Sequence, residues 1–203
     1  MEPKVLKLAP SGIPIGWLSL NDAATLVFKQ QIAKKDSDKS ISWTMGDDSF
    51  TLRGGLNSLT GKKSMIKIPA IMAVNESGSR GKNQMYLTFN ADVCKYREGM
   101  KCAYCGNSFS RGQLTIDHIY PKSKGGLLTM ENSIAACVKC NNKKADRTPE
   151  EANMPLLMKP FVPTMAEVMY MYRLGKVLDI QKEYLEKMFK NAHMRDYFSS
   201  EVA

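Results

Sequence analysis

The chain has 203 residues, of which 43% are hydrophobic and 24% charged, an ordinary globular balance with room for one good-sized domain or two small ones. No apolar run approaches the roughly twenty residues that a transmembrane helix needs, and the N-terminus lacks the charged, apolar and small-residue pattern of a signal peptide. A membrane-spanning or exported protein is therefore disfavoured, and a cytoplasmic location is expected. Of the net charge of +9, most lies between Lys95 and Arg147, where ten basic residues face four acidic ones. Such clustering is the footprint of a polyanion site. A membrane-surface patch is a weaker reading, because no basic amphipathic helix with aromatic anchors accompanies the charge.

Val5–Leu8 and Ile15–Leu20 read as short strands separated by Pro10-Ser-Gly-Ile-Pro14. Asn21 or Asp22 then caps a helix from Ala23 to about Gln30, with Ala23, Leu26 and Val27 on one face. Lys34–Lys39 is a polar loop, Ser40–Met45 alternates as a strand, and Ser49-Phe-Thr-Leu52 forms another. Arg53 to Lys63 places three basic residues among glycines, as a contact loop or a solvated linker. Ile66–Val74 is one strand candidate, confined by Pro69 to an edge or a bulge. Asn75–Asn83 is a linker and Met85–Phe89 a strand. Residues 1–84 form an accessory α+β region on this reading.

Ala91–Glu98 reads as a short helix carrying Cys94, a buried small hydrophobe in expectation. Two cysteine hooks follow, Cys102-Ala-Tyr-Cys105 and Cys137-Val-Lys-Cys140. Their four thiolates can surround one Zn²⁺ in a closed tetrahedral site, although the same spacing admits two disulfides. Four of five cysteines in hooks fit a reducing compartment. Between the hooks, Leu114-Thr-Ile-Asp-His118 is a strand stopped by Pro121, on which Asp117 and His118 point to opposite faces. Lys122-Ser-Lys-Gly-Gly126 is a basic loop, Asn132 opens a second apolar run, and Asn141–Arg147 reads as a basic helix.

Thr148 caps a short helix with Pro149 at its first position. Thr164 caps another, with Met165, Val168, Met169 and Tyr172 in register and Gly175 at its end. A last helix runs from about Asp179 to Phe198, with a stripe of Ile180, Tyr184, Leu185, Met188, Phe189 and Ala192. The stripe is core in expectation and could also mediate a homodimer. His193 lies on the polar side with no assigned role. The divisions predicted are residues 1–84, 85–153 and 154–203.

The pattern C-x-x-C, D-H-x-x-P, a Gly-Gly loop, N, then C-x-x-C-N-x-x-K resembles the zinc-stabilised HNH endonucleases over roughly residues 94–148. The Ile15-Gly-Trp-Leu-Ser segment through Ala24 is similar to one that precedes this module in bacterial and phage proteins. The resemblance implies an α+β chain whose centre is a ββα-metal nuclease module with a four-cysteine structural zinc site. It further implies that His118 is the general base, that Asn132 holds the histidine-bearing loop, and that Asp117 and Asn141 bind Mg²⁺ or Mn²⁺. Asn141 stands where many members have a second histidine, as in the HNN variants, which points to a hard, oxygen-ligated ion.

The chemistry of the residues agrees with that assignment. Hydrolysis of a phosphodiester needs a base that titrates near neutrality and positive charge where the phosphate gathers negative charge. Lys122, Lys124, Lys143, Lys144 and Arg147 are the expected phosphate grips on DNA. A silent zinc module that binds nucleic acid, and a nuclease acting on RNA or branched DNA, remain open alternatives.

Overall fold

A computed structural model describes residues 2–32, 41–46, 50–56, 58–75, 89–173, 176–191 and 194. The predicted loop at Lys34–Lys39, most of the predicted strand at Met85–Phe89, Gly175, Ala192 and His193 lie outside the described residues. The chain divides into two compact units, one from Met1–Gln84 with Met165–Phe189 and Met194–Ala203, the other from Met85–Thr164 with Lys190–His193.

The first unit is built on a four-stranded sheet in the spatial order Pro14–Leu18, Val5–Leu8, Ile71–Val74, Ile41–Met45. Strand β1 (Val5–Leu8) pairs antiparallel with β2 (Pro14–Leu18), through a turn in which Gly12 sits at φ 87°. Helix α1 (Leu20–Ile32) follows. It begins before the predicted Ala23 because Ser19 is the cap: its hydroxyl oxygen accepts from the Asp22 N–H at 3.1 Å and the hydroxyl donates to the Asp22 carboxylate at 2.6 Å. That exchange satisfies a donor that a helix start leaves orphaned. Strands β3 (Ile41–Met45) and β4 (Phe50–Leu56) follow, and β4 pairs with β5 (Lys63–Ile68) in a separate two-stranded sheet.

The single strand predicted over Ile66–Val74 is two strands. Pro69 has no N–H to give a ladder, so β5 ends at Ile68 and the chain restarts as β6 (Ile71–Val74). β6 is central, parallel to β1 and antiparallel to β3, and all four of its residues are buried. Val5, Met72, Val74 and Ile68 form a core with Ala23 of α1, against which Leu26 and Val27 pack. Leu6, Leu8, Ile71 and Ala73, which alternate to the other side, are also fully buried. The sheet is thus covered on both faces.

In the second unit, α2 (Ala91–Arg97) is capped by Asn90, whose side chain accepts from the N–H groups of Asp92 and Val93. Strand β7 (Leu114–His118) pairs antiparallel with β8 (Ser133–Cys137), with Asp117 opposite Ile134 and His118 opposite Ser133. Helix α3 (Val138–Lys144) starts directly from β8, giving a ββα unit. It begins earlier than the predicted Asn141 because Cys137 serves as its cap, and it stops at Ala145, which has φ 52°. Thr148 and Glu151 exchange the reciprocal bonds of a capping box, but a single turn follows in place of the predicted helix and ends where Asn153 takes φ 51°.

Arg97, counted above with the basic surface, is 1% exposed. Its guanidinium binds the Glu98 carboxylate and the carbonyls of Met130, Ser133 and Phe161, while Glu98 Oε2 accepts from the Ala135 N–H at 3.1 Å. This pair ties α2 to the start of β8. Burial pushes the Glu98 carboxyl up to about 7, against the pull of Arg97.

Helices α4 (Met165–Met171) and α5 (Asp179–Glu186) belong to the first unit, where the sequence suggests a separate C-terminal region. α5 ends at Glu186, short of the predicted Phe198. The Gln181 amide donates to the carbonyls of Lys4 and Ala70, the Tyr184 hydroxyl to that of Gly12, and Tyr170 meets Phe189 edge-to-face at 5.4 Å. Val168, Met169, Leu185 and Phe189 are buried within their own unit, which gives no support to a dimer through these helices. No helix among the described residues is long and apolar enough to cross a membrane.

Candidate active site

The four hook sulfurs lie within 4.8 Å of one another. The first hook turns through Gly106 at φ 74°, which lets its N–H reach the Cys102 carbonyl at 2.9 Å while Cys102 N–H reaches the Asn107 carbonyl at 3.0 Å. The second hook is the β8–α3 junction itself. Burial, with the neighbouring Cys137 and Cys102 sulfurs, pushes the Cys140 thiol well above its usual range. Four sulfurs so close cannot all ionise unless a cation offsets their repulsion, and this donor set can hold a metal ion. Cys94 stays apart: its sulfur touches the Met130 sulfur at 3.7 Å, and burial pushes its thiol up to about 11.

Strand β7 presents Thr115 and Asp117 on one face, toward α3. The Asn141 amide donates to the Thr115 hydroxyl at 2.9 Å, which leaves the amide oxygen as an acceptor. One turn on, the Lys144 ammonium reaches Asp117 Oδ1 at 3.2 Å and the His118 carbonyl at 2.7 Å. Asp117 Oδ2 accepts from the Tyr104 hydroxyl at 2.6 Å. Tyr104 stands inside the first hook, so the cysteine cluster and the Asp-His strand are joined by one hydrogen bond. Burial, reinforced by Asp117, holds the Tyr104 phenol above its usual range, so it remains a donor. Asp117 is 6% exposed, each oxygen having one donor among the described residues and a further lone pair.

His118 alternates to the other face of β7. Its ring is half-buried and has no hydrogen-bond partner among the described residues. The loop that follows is closed by Asn132: its Oδ1 accepts from Tyr120 N–H at 2.8 Å, and its Nδ2 donates to the carbonyls of Tyr120 at 3.1 Å and Leu127 at 2.9 Å. Gly126 is pressed against the same carbonyl, so that a Cβ there would stand 1.9 Å from Tyr120 O. Asn132 and Gly126 together fix the exit of the chain from His118.

The five expected phosphate grips do not share one environment. Lys122 and Lys143 are exposed. Lys124 pairs with Glu151 at 2.6 Å, and Arg147 donates to the carbonyls of Lys143 and Lys144 at the end of α3. Lys144 is buried completely and cannot meet a phosphate on the surface. Its charge is spent on Asp117, because a buried carboxylate needs a partner.

Residues 102–157 match the family model described as HNH endonuclease. These residues form an HNH endonuclease domain. The HNH domain is also similar to a stretch of the CRISPR-associated endonuclease Cas9 of Corynebacterium diphtheriae, at 36% identity over 61 residues. That alignment covers 28% of this chain and 6% of the relative. No solved structure matches the chain. Composition and motif spacing pass over Tyr104 and the buried role of Lys144 in the HNH domain. A signal for Lys144 exists, since it lies three residues after Asn141 and therefore on the same helical face.

Proposed function

We propose that the HNH domain makes this protein a metal-dependent DNA endonuclease. The observation that carries the reading is that one β7–α3 contact holds both Asp117, bonded to Lys144, and Asn141, bonded to Thr115 two residues before Asp117, while the adjoining His118 ring has no hydrogen-bond partner among the described residues. His118, as neutral imidazole, would take a proton from the water that attacks phosphorus; the new P–O bond forms as the P–O bond to the departing sugar oxygen breaks. Asn132 and Gly126 support this by holding the backbone that follows His118. Asp117 and Asn141 offer only oxygen donors, which suits Mg²⁺ or Mn²⁺. When bound, such an ion supplies positive charge against the charge gathered on the phosphate and the leaving oxygen. The four hook cysteines would hold a structural Zn²⁺ through their thiolates, and the ion would supply the positive charge that lets the four sulfurs ionise together.

The two donors already on Asp117 favour a second reading, in which the domain binds nucleic acid without cutting it. Cleavage of supercoiled plasmid across a Mg²⁺ titration separates the two. The nuclease reading expects product that EDTA abolishes, and an Asn141→Ala variant that needs more Mg²⁺ for half-maximal cutting while keeping its zinc. Intact plasmid at every Mg²⁺ and Mn²⁺ concentration, with DNA binding retained, supports the silent module.

A further inference from the structure

Helix α3 uses one face for the Asp117 network and has a second face with a different character. Asn141 and Lys144 point to β7, whereas Lys139 and Lys143, at i and i+4, lie together on the opposite side. That side borders a hollow of about 520 Å³ whose walls include Cys105, Phe109, Val138 and Cys140, with Lys139 and Lys143 also lining it. The volume is that of a small-molecule pocket, in the range of roughly 300–1,000 Å³. Val138 is 52% exposed, an apolar side chain left open beside a half-buried aromatic ring. Both lysines are exposed, and neither ammonium has an acidic partner among the described residues.

We propose that this hollow is a second nucleic-acid subsite, which takes an unstacked base and the phosphates beside it. The inference rests on the reading above that the ligand is nucleic acid, and it adds which form of it. An apolar wall with an aromatic ring matches the face of a nucleobase, and the two unpaired ammoniums match its flanking phosphates. Helical rise sets the two lysines roughly 6 Å apart along the strand they would follow. A fully stacked duplex offers phosphates and sugars on its outside but no free base face. The hollow therefore favours a single strand, a flap or a junction over intact duplex.

The test uses the whole chain carrying His118→Ala, so that no substrate is cut, titrated by fluorescence anisotropy with a single-stranded oligonucleotide and with the matching duplex. Val138→Glu puts a negative charge in the hollow at the first position of α3, where the helix tolerates it well. It should weaken single-strand binding at least tenfold and duplex binding less than twofold. Lys139→Gln with Lys143→Gln should lower the slope of log affinity against log salt by about 1.4, two single-strand phosphate contacts being lost. Zinc content is measured on every variant and should not change. Unchanged single-strand affinity in both variants overturns the subsite and leaves the nuclease reading standing, as plasmid cleavage by the unmutated chain would show. Zinc lost together with affinity in the lysine variant also overturns it, since the lysines then serve to balance the metal centre. No binding of either oligonucleotide by the parent chain overturns the subsite and the nucleic-acid reading together.

Discussion

Lys144 Nζ lies 3.2 Å from Asp117 Oδ1 with both side chains out of solvent, and the same ammonium holds the His118 carbonyl. One buried cation thus positions two consecutive residues of β7 from the end of α3. Removing one partner of a buried pair costs about 3–5 kcal/mol, because the other is left charged and uncompensated. Lys144→Met should therefore lower the unfolding free energy of the HNH domain by that order in urea titration. A surface role would instead predict weaker DNA binding at unchanged stability.

Tyr104→Phe isolates the bond between the first hook and Asp117. A hydrogen bond to a charged group contributes roughly 1.5–3 kcal/mol, and the ring's packing is kept. The expected outcome is a loss of that order in denaturant unfolding with zinc content intact. Stability equal to that of the parent protein would show that the hydroxyl does not hold Asp117.

The loop after His118 should depend on Asn132 beyond its size. Asn132→Ala removes three hydrogen bonds and leaves Tyr120 N–H without its side-chain acceptor, while Gly126→Ala forces a Cβ against the Tyr120 carbonyl. Both should raise the amide exchange rate across residues 119–131 and reduce cleavage, with the fold of α2 and α3 retained. Slow exchange in both variants would contradict this account of the loop.

Glu98 makes stability depend on pH. Its folded value is about 7 against an ordinary 4.5, so the folded state holds the proton more tightly. That contribution is complete below pH 4.5 and is lost as the pH rises through about 7. Measured on zinc-saturated protein, the unfolding free energy of the wild type should fall relative to that of Glu98→Gln over this window, the thiol titration being common to both. A difference that stays flat would show that burial does not raise the Glu98 carboxyl, and one that rises would place it below its usual range, held ionised by Arg97.

Chelation of the metal should unfold the HNH domain, because structural metal binding in small domains is folding free energy. Far-ultraviolet circular dichroism during titration with a strong chelator, and on Cys137→Ser, should show loss of structure that zinc restores in the first case only.

What the sequence discloses about this site is what depends on local spacing. The hooks, the strand at Leu114–His118, the apolar run after Asn132 and the opposite orientation of Asp117 and His118 all follow from short-range pattern. Charge alone does not tell which of Lys143 and Lys144 meets solvent; helical phase does, once the start of α3 at Val138 is known. The Arg97 clamp joins residues as far apart as Glu98 and Phe161, and no periodicity announces a partner at that distance. The same holds for α4 and α5, whose apolar stripes are evident but whose burial in the first unit is a long-range choice. At Pro69 the missing N–H is visible in the sequence, yet the restart of the chain as a central strand depends on β1 and β3.

In the proposed mechanism His118 is the general base. The decisive measurement is cleavage of supercoiled plasmid in Mg²⁺ by the parent protein and by His118→Ala, with DNA affinity determined for both. Cutting reduced by a hundredfold or more at unchanged affinity is the predicted result, in line with the roughly 10²–10⁴-fold contribution of a general base. Equal cutting by the variant would contradict the mechanism outright.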